Sequence, residues 1–223
     1  MSDNPTYTKA VEHFRNNEYS ASMVNFLLFL GMNESHYGAW YYVGFIHAIH
    51  DQLDNAIDAY TKVVKLKSDY ADARYNLGQL YFKLGKMGEA EESFRTGLKL
   101  QPDDPGMLIG LGIILNDQKS YIDAEDVFNK SIQVDAENFT AHFNLARTLK
   151  NQNKFEEAIL SFQRSVDIND TFANGWYSLG SLFDDMDQPE AALINLQKSV
   201  EVSQDSWEFR EAAVEVISEL EDR

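Results

Sequence analysis

The sequence predicts an all-α solenoid, six helix–turn–helix repeats closed by a C-terminal capping helix. Three observations carry that expectation. The chain repeats itself every 34 residues, three alignment columns hold one residue type block after block, and an amphipathic tail continues the phase. Blocks of 34 run over 3–36, 37–70, 71–104, 105–138, 139–172 and 173–206 without insertion or deletion, leaving 207–223 as the cap.

The columns explain the hairpins. Position 8 reads Ala10, Gly44, Gly78, Gly112, Ala146 and Gly180, and position 20 reads Ser22, Ala56, Ala90, Ala124, Ala158 and Ala192. Small residues there let two helices approach closely. Position 24 (Phe26, Tyr60, Phe94, Phe128, Phe162, Leu196) supplies a large apolar side chain for the space beside that contact. In the third block, Leu77, Gly78 and Tyr81 share one face of a first helix. Ala90, Phe94 and Leu98 stripe a second helix at i, i+4, i+8. Between them Gly85 in "LGKMGE" suits a helix C-cap. A single hairpin cannot bury both faces, so neighbours must stack. In the tail, Phe209, Ala213, Val216, Ile217 and Leu220 form an apolar stripe, and Asp205 with Glu208 reads as a capping pair.

"RYNLGQLYFKLGKMGEAEESFRTGLKLQP" resembles the tetratricopeptide repeat family, whose pattern runs aromatic, Leu-Gly, Tyr, Ala, Phe or Tyr, small, Pro. The resemblance covers 204 of 223 residues (3–206). It implies a right-handed solenoid whose first helices line a concave groove with positions 2, 5, 6, 9, 12 and 13. Departures are local. The closing proline appears only as Pro102, Phe29 and Val63 replace the usual small residue, and the first block is the most degenerate, with Lys9 in an apolar column. The family's carboxylate clamp, built from Lys, Asn, Asn, Lys and Arg on three successive first helices, finds no match. Asn76 and Asn144 lack the cations, and the block between them offers Gly106 and Gly110.

Applied to this chain, the groove columns select Tyr41, Tyr42, Phe45, Tyr75, Asn76, Gln79, Phe82, Ile109, Ile113, Phe143, Asn144 and Arg147 as partner-binding residues. The aromatic and apolar members are anchors of the kind that peptide recognition uses, and the asparagines can hydrogen-bond an extended backbone. Packing of the same tyrosines on neighbouring helices is the competing reading. In the first block Leu27 and Leu28 stand where five blocks keep polar residues, which predicts an exposed docking patch and a homodimer through the N-terminal repeat.

Composition narrows the chemistry. The formal charge is −17, with 12 acidic and 3 basic residues from Asp184 to Arg223. Such a surface repels phosphate backbones and anionic lipid, so nucleic acid is not expected and basic segments of partners are favoured. There is no cysteine, hence no disulfide, thiolate site or cysteine nucleophile. "MSDNPTYTKAVEHF" lacks a secretory pattern, and "MVNFLLFLGM" is too short to insert in a bilayer, which makes a cytoplasmic location the expectation.

His47 and His50, with Asp51, Asp54 and Asp58 close behind, invite a metal reading. The register argues otherwise: His47 falls in a packing column, His50 and Asp51 at the turn, and the later aspartates near a helix start. His36 and His142 stand alone, and His142 shares the column of Trp40 and Trp176. No phosphate loop, EF-hand loop or nucleophile elbow is present. The reading is a non-catalytic module, without metal or cofactor, that binds a protein or peptide as an assembly scaffold. The alternative is a chaperone or adaptor that shields a hydrophobic client.

Overall fold

The structure is a computed structural model that describes residues 4–203 and 208–221. The described residues are helical, without strands. First helices are α1 (Pro5–Arg15), α3 (Tyr37–Ile49), α5 (Ala71–Lys83), α7 (Pro105–Asp117), α9 (Phe139–Asn151) and α11 (Ala173–Asp185). Second helices are α2 (Tyr19–Leu30), α4 (Leu53–Leu66), α6 (Met87–Leu100), α8 (Tyr121–Val134), α10 (Phe155–Ile168) and α12 (Pro189–Val202). The last helix is α13 (Arg210–Glu221). None of them is long and apolar enough to cross a membrane.

The chain divides into two compact units, Met1–Gly110 and Leu111–Arg223, with the division inside α7. Within each unit helices pack in chain order, α1 on α2, α2 on α3 and onward, the serial stacking of an all-α solenoid.

The small-residue columns act as expected. A Cβ built on Gly78 would lie 2.5 Å from the Phe94 ring, one on Gly112 2.6 Å from Phe128, and one on Gly180 2.8 Å from Leu196 Cγ. Real Cβ atoms do not approach that closely, so the glycine is what lets each hairpin close over its own position-24 side chain. In the first block Ser22 takes the small position and its hydroxyl donates to the Ala10 carbonyl at 2.9 Å, which satisfies a buried polar group.

The hairpin turns share one geometry. Asn17, Asp51, Gly85, Lys119, Asn153 and Asp187, all at block position 15, have φ between 56° and 71°. The following residue donates back to the residue five positions earlier, for example Lys86 N–H to the Tyr81 carbonyl at 2.9 Å and Ser120 N–H to Leu115 at 2.8 Å. That 6→1 bond over a left-handed residue closes the helix end and consumes its orphan carbonyl. Gly85 therefore fills its expected role, and five non-glycine residues fill it too.

The core of the first unit gathers Ala10, Phe26, Phe29, Leu30, Ala39, Val43 and Ile46, followed by Tyr60, Val63, Ala73, Leu77 and Leu80. At the other end Ala192, Leu196 and Leu220 are buried together, with Val216 and Ile217 packed on them. The tail's stripe thus covers α12, except that Phe209 leaves it. This ring is 38% exposed and stacks on Tyr177 at 5.4 Å. The capping pair differs from expectation as well: Asp205 lies outside the described residues, and Glu208 sits in a turn before α13 begins. Arg210 does the tying instead, donating to Ser203 Oγ at 2.6 Å and the Val200 carbonyl at 3.0 Å.

Candidate functional site

In the first unit the predicted anchors lie mostly against rings outside the predicted set. Tyr42 stacks on Phe26 (4.9 Å, 8°) and stands edge-on to Phe14, which also touches Phe45 at 5.3 Å. Tyr41 lies edge-on to Tyr60 and Tyr70, and accepts a hydrogen bond from Asn76 Nδ2 at 3.3 Å. Burial pushes the Tyr41 phenol above its ordinary value, with the Asn76 bond opposing. Tyr75 reaches Phe94 at 6.3 Å and passes within 2.9 Å of where Gly106 would carry a Cβ. Phe82 and Ile109 are half-buried, and Gln79 is exposed. Tyr41, Tyr42, Phe45 and Tyr75 thus pack on neighbouring rings while staying partly exposed.

The second unit is built differently. Between α9 and α11 lies a pocket of about 480 Å³. Phe143 and Arg147, both predicted, line it, with Phe162 behind them and Lys150 and Asn151 on the same wall. Asn174, Tyr177, Ser178 and Ser181 form the opposite wall, and Phe209 closes one side. Phe143 is anchored against Phe162 at 5.6 Å and Phe172 at 5.0 Å. The Arg147 guanidinium lies 5.9 Å over the Phe143 ring, and the Lys150 ammonium pairs with Asp185 at 2.7 Å.

A buried polar cluster supports that wall. Asn116 Oδ1 accepts from Thr148 Oγ1 at 3.1 Å and from Asn151 Nδ2 at 3.2 Å, which orients Asn151. Asn144 is buried, and its amide donates to the Thr140 carbonyl at 2.8 Å, so that donor is spent on its own helix. Ile113 is half-buried and does not line the pocket. Of the pocket residues missing from the predicted set, Phe162 belongs to the position-24 core column, and Lys150, Asn151, Asn174, Tyr177, Ser178 and Ser181 fall in the six groove columns. Reading those columns through the last block would have found them. Phe209 had no such signal.

The histidines have local roles. His47 Nδ1 sits 2.5 Å from Gln52 Oε1, His50 stands edge-on to Tyr19, and Asp51 pairs with Lys83 at 2.6 Å. Among the described residues no group of three or more His, Asp or Glu could hold a metal ion. His142 Nε2 lies 3.1 Å from the Ala136 carbonyl, six residues back. The indoles of Trp40 and Trp176 reach Glu34 and Asp170 over the same six-residue step. One column therefore does one job with two ring types. His36 caps α3, its Nδ1 accepting from Ala39 N–H at 3.0 Å.

On α2, Leu27 and Leu28 are 49% and 60% exposed and Val24 extends the stripe at 57%; Met32, just past the helix end, is 73% exposed. The helix carries no charged residue.

Comparison with known proteins agrees with this fold. Family profiles described as tetratricopeptide repeat match residues 71–104, 127–159 and 173–206, and one described as TPR repeat matches 49–85. No curated protein sequence gives a significant match. Among solved structures, YrrB, titled a TPR protein with an unusual peptide-binding site, is 20% identical with a TM-score of 0.69, covering 86% of this chain and 97% of its own. PilW, titled a widely conserved type IV pilus biogenesis factor, is 18% identical with a TM-score of 0.78, covering 94% and 96%. A chain of the Cut9–Hcn1 hetero-tetramer of the APC/C is 18% identical with a TM-score of 0.75, covering 96% of this chain and 42% of that one.

Proposed function

We propose that this chain, which belongs to the tetratricopeptide repeat family, is a protein–protein interaction scaffold that takes a peptide segment of a partner between its first helices. One observation carries the reading: the pocket between α9 and α11 is walled by aromatic rings and by side-chain hydrogen-bonding groups in the inward columns. Helix walls have spent their backbone N–H groups internally, so a guest's backbone must be met by side chains such as Asn151, Ser178 and Ser181. The rings offer a preformed apolar floor, which lowers the ordering cost of binding on the protein's side.

The test is affinity capture followed by scanning the captured protein as overlapping synthetic peptides. A defined linear segment that binds one-to-one, and is lost with Phe143→Ala and Tyr177→Ala, supports the scaffold. Binding of many unrelated unfolded chains, indifferent to those changes, points to the client-shielding alternative. A partner held only in its folded form, with the pocket dispensable, removes the peptide reading.

The α2 stripe favours a second contact, with another copy of the chain. At a net charge of −17 two copies repel wherever charged surfaces meet, and an uncharged apolar helix is a place where a two-fold contact avoids this. Leu27→Lys with Leu28→Lys should convert a dimer to a monomer by light scattering. A monomer both before and after would end the idea.

A further inference from the structure

The unit-2 pocket carries positive charge in an acidic protein. Across the chain 36 acidic residues face 19 basic ones, and two of the basic ones, Arg147 and Lys150, line this pocket. Arg147 is open to a new partner. It is exposed, its hydrogen bond to Asn144 Oδ1 is long at 3.4 Å, and among the described residues no carboxylate forms an ion pair with it. Phe143 beneath the guanidinium holds it over the pocket, a cation–π contact that limits where the charge can go. Lys150 stands one turn further along α9. Its pair with Asp185 is solvent-screened, with side chains 36% and 58% exposed. Exposed pairs of this kind contribute little, so the ammonium can be shared with an incoming anion. The matching columns of the first unit hold no cation: position 9 is Val11, Phe45 and Gln79, and position 12 is Phe14, Ala48 and Phe82.

We infer that this pocket recognises an extended peptide through an acidic side chain placed beside a large apolar one. The inference rests on the peptide-binding reading above and names its ligand. Arg147 meets the carboxylate, for which its planar fork is suited, and Lys150 adds a second donor. The apolar neighbour enters against Phe143, Phe162 and Tyr177. An internal side chain is chosen over a free C-terminus because the carboxylate clamp of cations and asparagines described above has no match in these first helices. The overall acidity steers such a ligand away except at this spot, which adds selectivity rather than bulk affinity.

The test is a selection of random twelve-residue peptides, displayed through their C-termini on phage, against the full chain and against Arg147→Glu/Lys150→Glu. Circular dichroism first establishes that the variant keeps its helices, as expected for exposed side chains. The natural chain should enrich Asp or Glu next to Leu, Ile or Phe, and the reversed chain should enrich Lys or Arg at that place. One selected peptide is then synthesised amidated, with its acidic residue as Glu and as Gln. The Gln form should bind about tenfold more weakly or worse, as expected for losing a charge-assisted hydrogen bond, and Arg147→Ala should erase the difference. Enriched peptides with no acidic position, or an acidic preference that survives charge reversal, overturn the inference while leaving peptide binding in place. A free-acid terminus that fully rescues the Gln form overturns it in the same way. No enrichment at all removes both readings.

Discussion

The first helices of the two units follow one 34-residue template and use its inward columns in opposite ways. In the first unit Tyr42, Phe45 and Tyr41 lie against Phe14, Phe26, Tyr60 and Tyr70, so the rings satisfy one another. In the second, columns 6, 9 and 12 carry Ser178, Arg147, Ser181 and Lys150 around an open pocket. The helix spacing is fixed by the buried columns at positions 8, 20 and 24, which both units share. What differs is side-chain volume at positions 6, 9 and 12. Large rings in those columns fill the space from within, whereas short polar and long flexible charged side chains leave it for a guest. A repeat fold thus sets where a groove can be, and a few column choices decide whether the protein occupies it itself.

The sharpest break of this comparison comes from removing one inward side chain in each unit. Tyr42→Ala takes away a ring stacked on the buried Phe26 and should cost about 2 kcal/mol of stability, the scale of a largely buried aromatic. Arg147→Ala deletes an exposed side chain and should leave the urea midpoint where it was. Peptide binding should respond the other way round, unchanged by Tyr42→Ala and weakened by Arg147→Ala. If Tyr42→Ala leaves stability intact, its ring is not packing and the first unit's groove is open after all.

That crossing of roles explains how far the sequence can be read. Helices, turns and core columns are legible because each rests on a local period: small residues opposite rings, and a turn at a constant offset. The column alone places His142 correctly, since an imidazole and an indole can both reach a carbonyl six residues back. The site is legible as columns but not as space. Nothing in the residue type of Tyr42 tells whether its ring faces a groove or Phe26. Asn144 and Asn151 look alike in sequence, yet one amide turns back to Thr140 and the other is held by Asn116 at the pocket wall. Phe209 fits the buried stripe by its spacing; α13 begins at Arg210, so the ring falls outside the helix that would have aimed it inward.

The units should also part in their response to acid. Burial among Tyr7, Phe29 and Tyr37 holds the His36 imidazole below its ordinary value of 6.5, with a backbone hydrogen bond opposing, and the neutral ring accepts the Ala39 N–H. A base whose folded pKa is depressed contributes stability that is complete above its unfolded value and is lost as pH falls from 6.5 toward the folded value. The equivalent cap in the second unit is Asn138, which accepts from Ala141 N–H at 3.1 Å and does not titrate. Acid sensitivity there comes from Glu125. Burial raises its pKa, but hydrogen bonds from Lys154 and Gln152 outweigh this and leave it below 4.5. Its contribution persists above 4.5 and fades as pH falls through the folded value. Amide exchange should therefore show α3 losing protection as pH falls below 6.5 while α9 keeps its own. His36→Asn should abolish the loss while preserving the cap, which is worth about 1 kcal/mol. Parallel loosening of α3 and α9, or a loss that survives His36→Asn, would place the acid-labile group elsewhere.

The smallest effect concerns the turns, where the units differ only in which residue accepts a left-handed backbone. Lys119 has φ of 63°, a conformation that Gly85 takes at 71° without a side chain to crowd the following carbonyl. For a residue with a Cβ that conformation costs about 1–2 kcal/mol, and asparagine and aspartate, which stand at Asn17 and Asp51, are the side chains that tolerate it best. Lysine has no such recourse. Lys119→Gly relieves the crowding but frees the unfolded chain, which takes back about 0.5–1 kcal/mol, so a net gain of about 0.5 kcal/mol is expected. The same exchange at Asn153, φ 60°, should gain less, since asparagine tolerates the turn. Urea titrations of both variants resolve the order. A Lys119→Gly chain less stable than its parent would mean that the lysine's long stem, rather than its backbone, governs that turn.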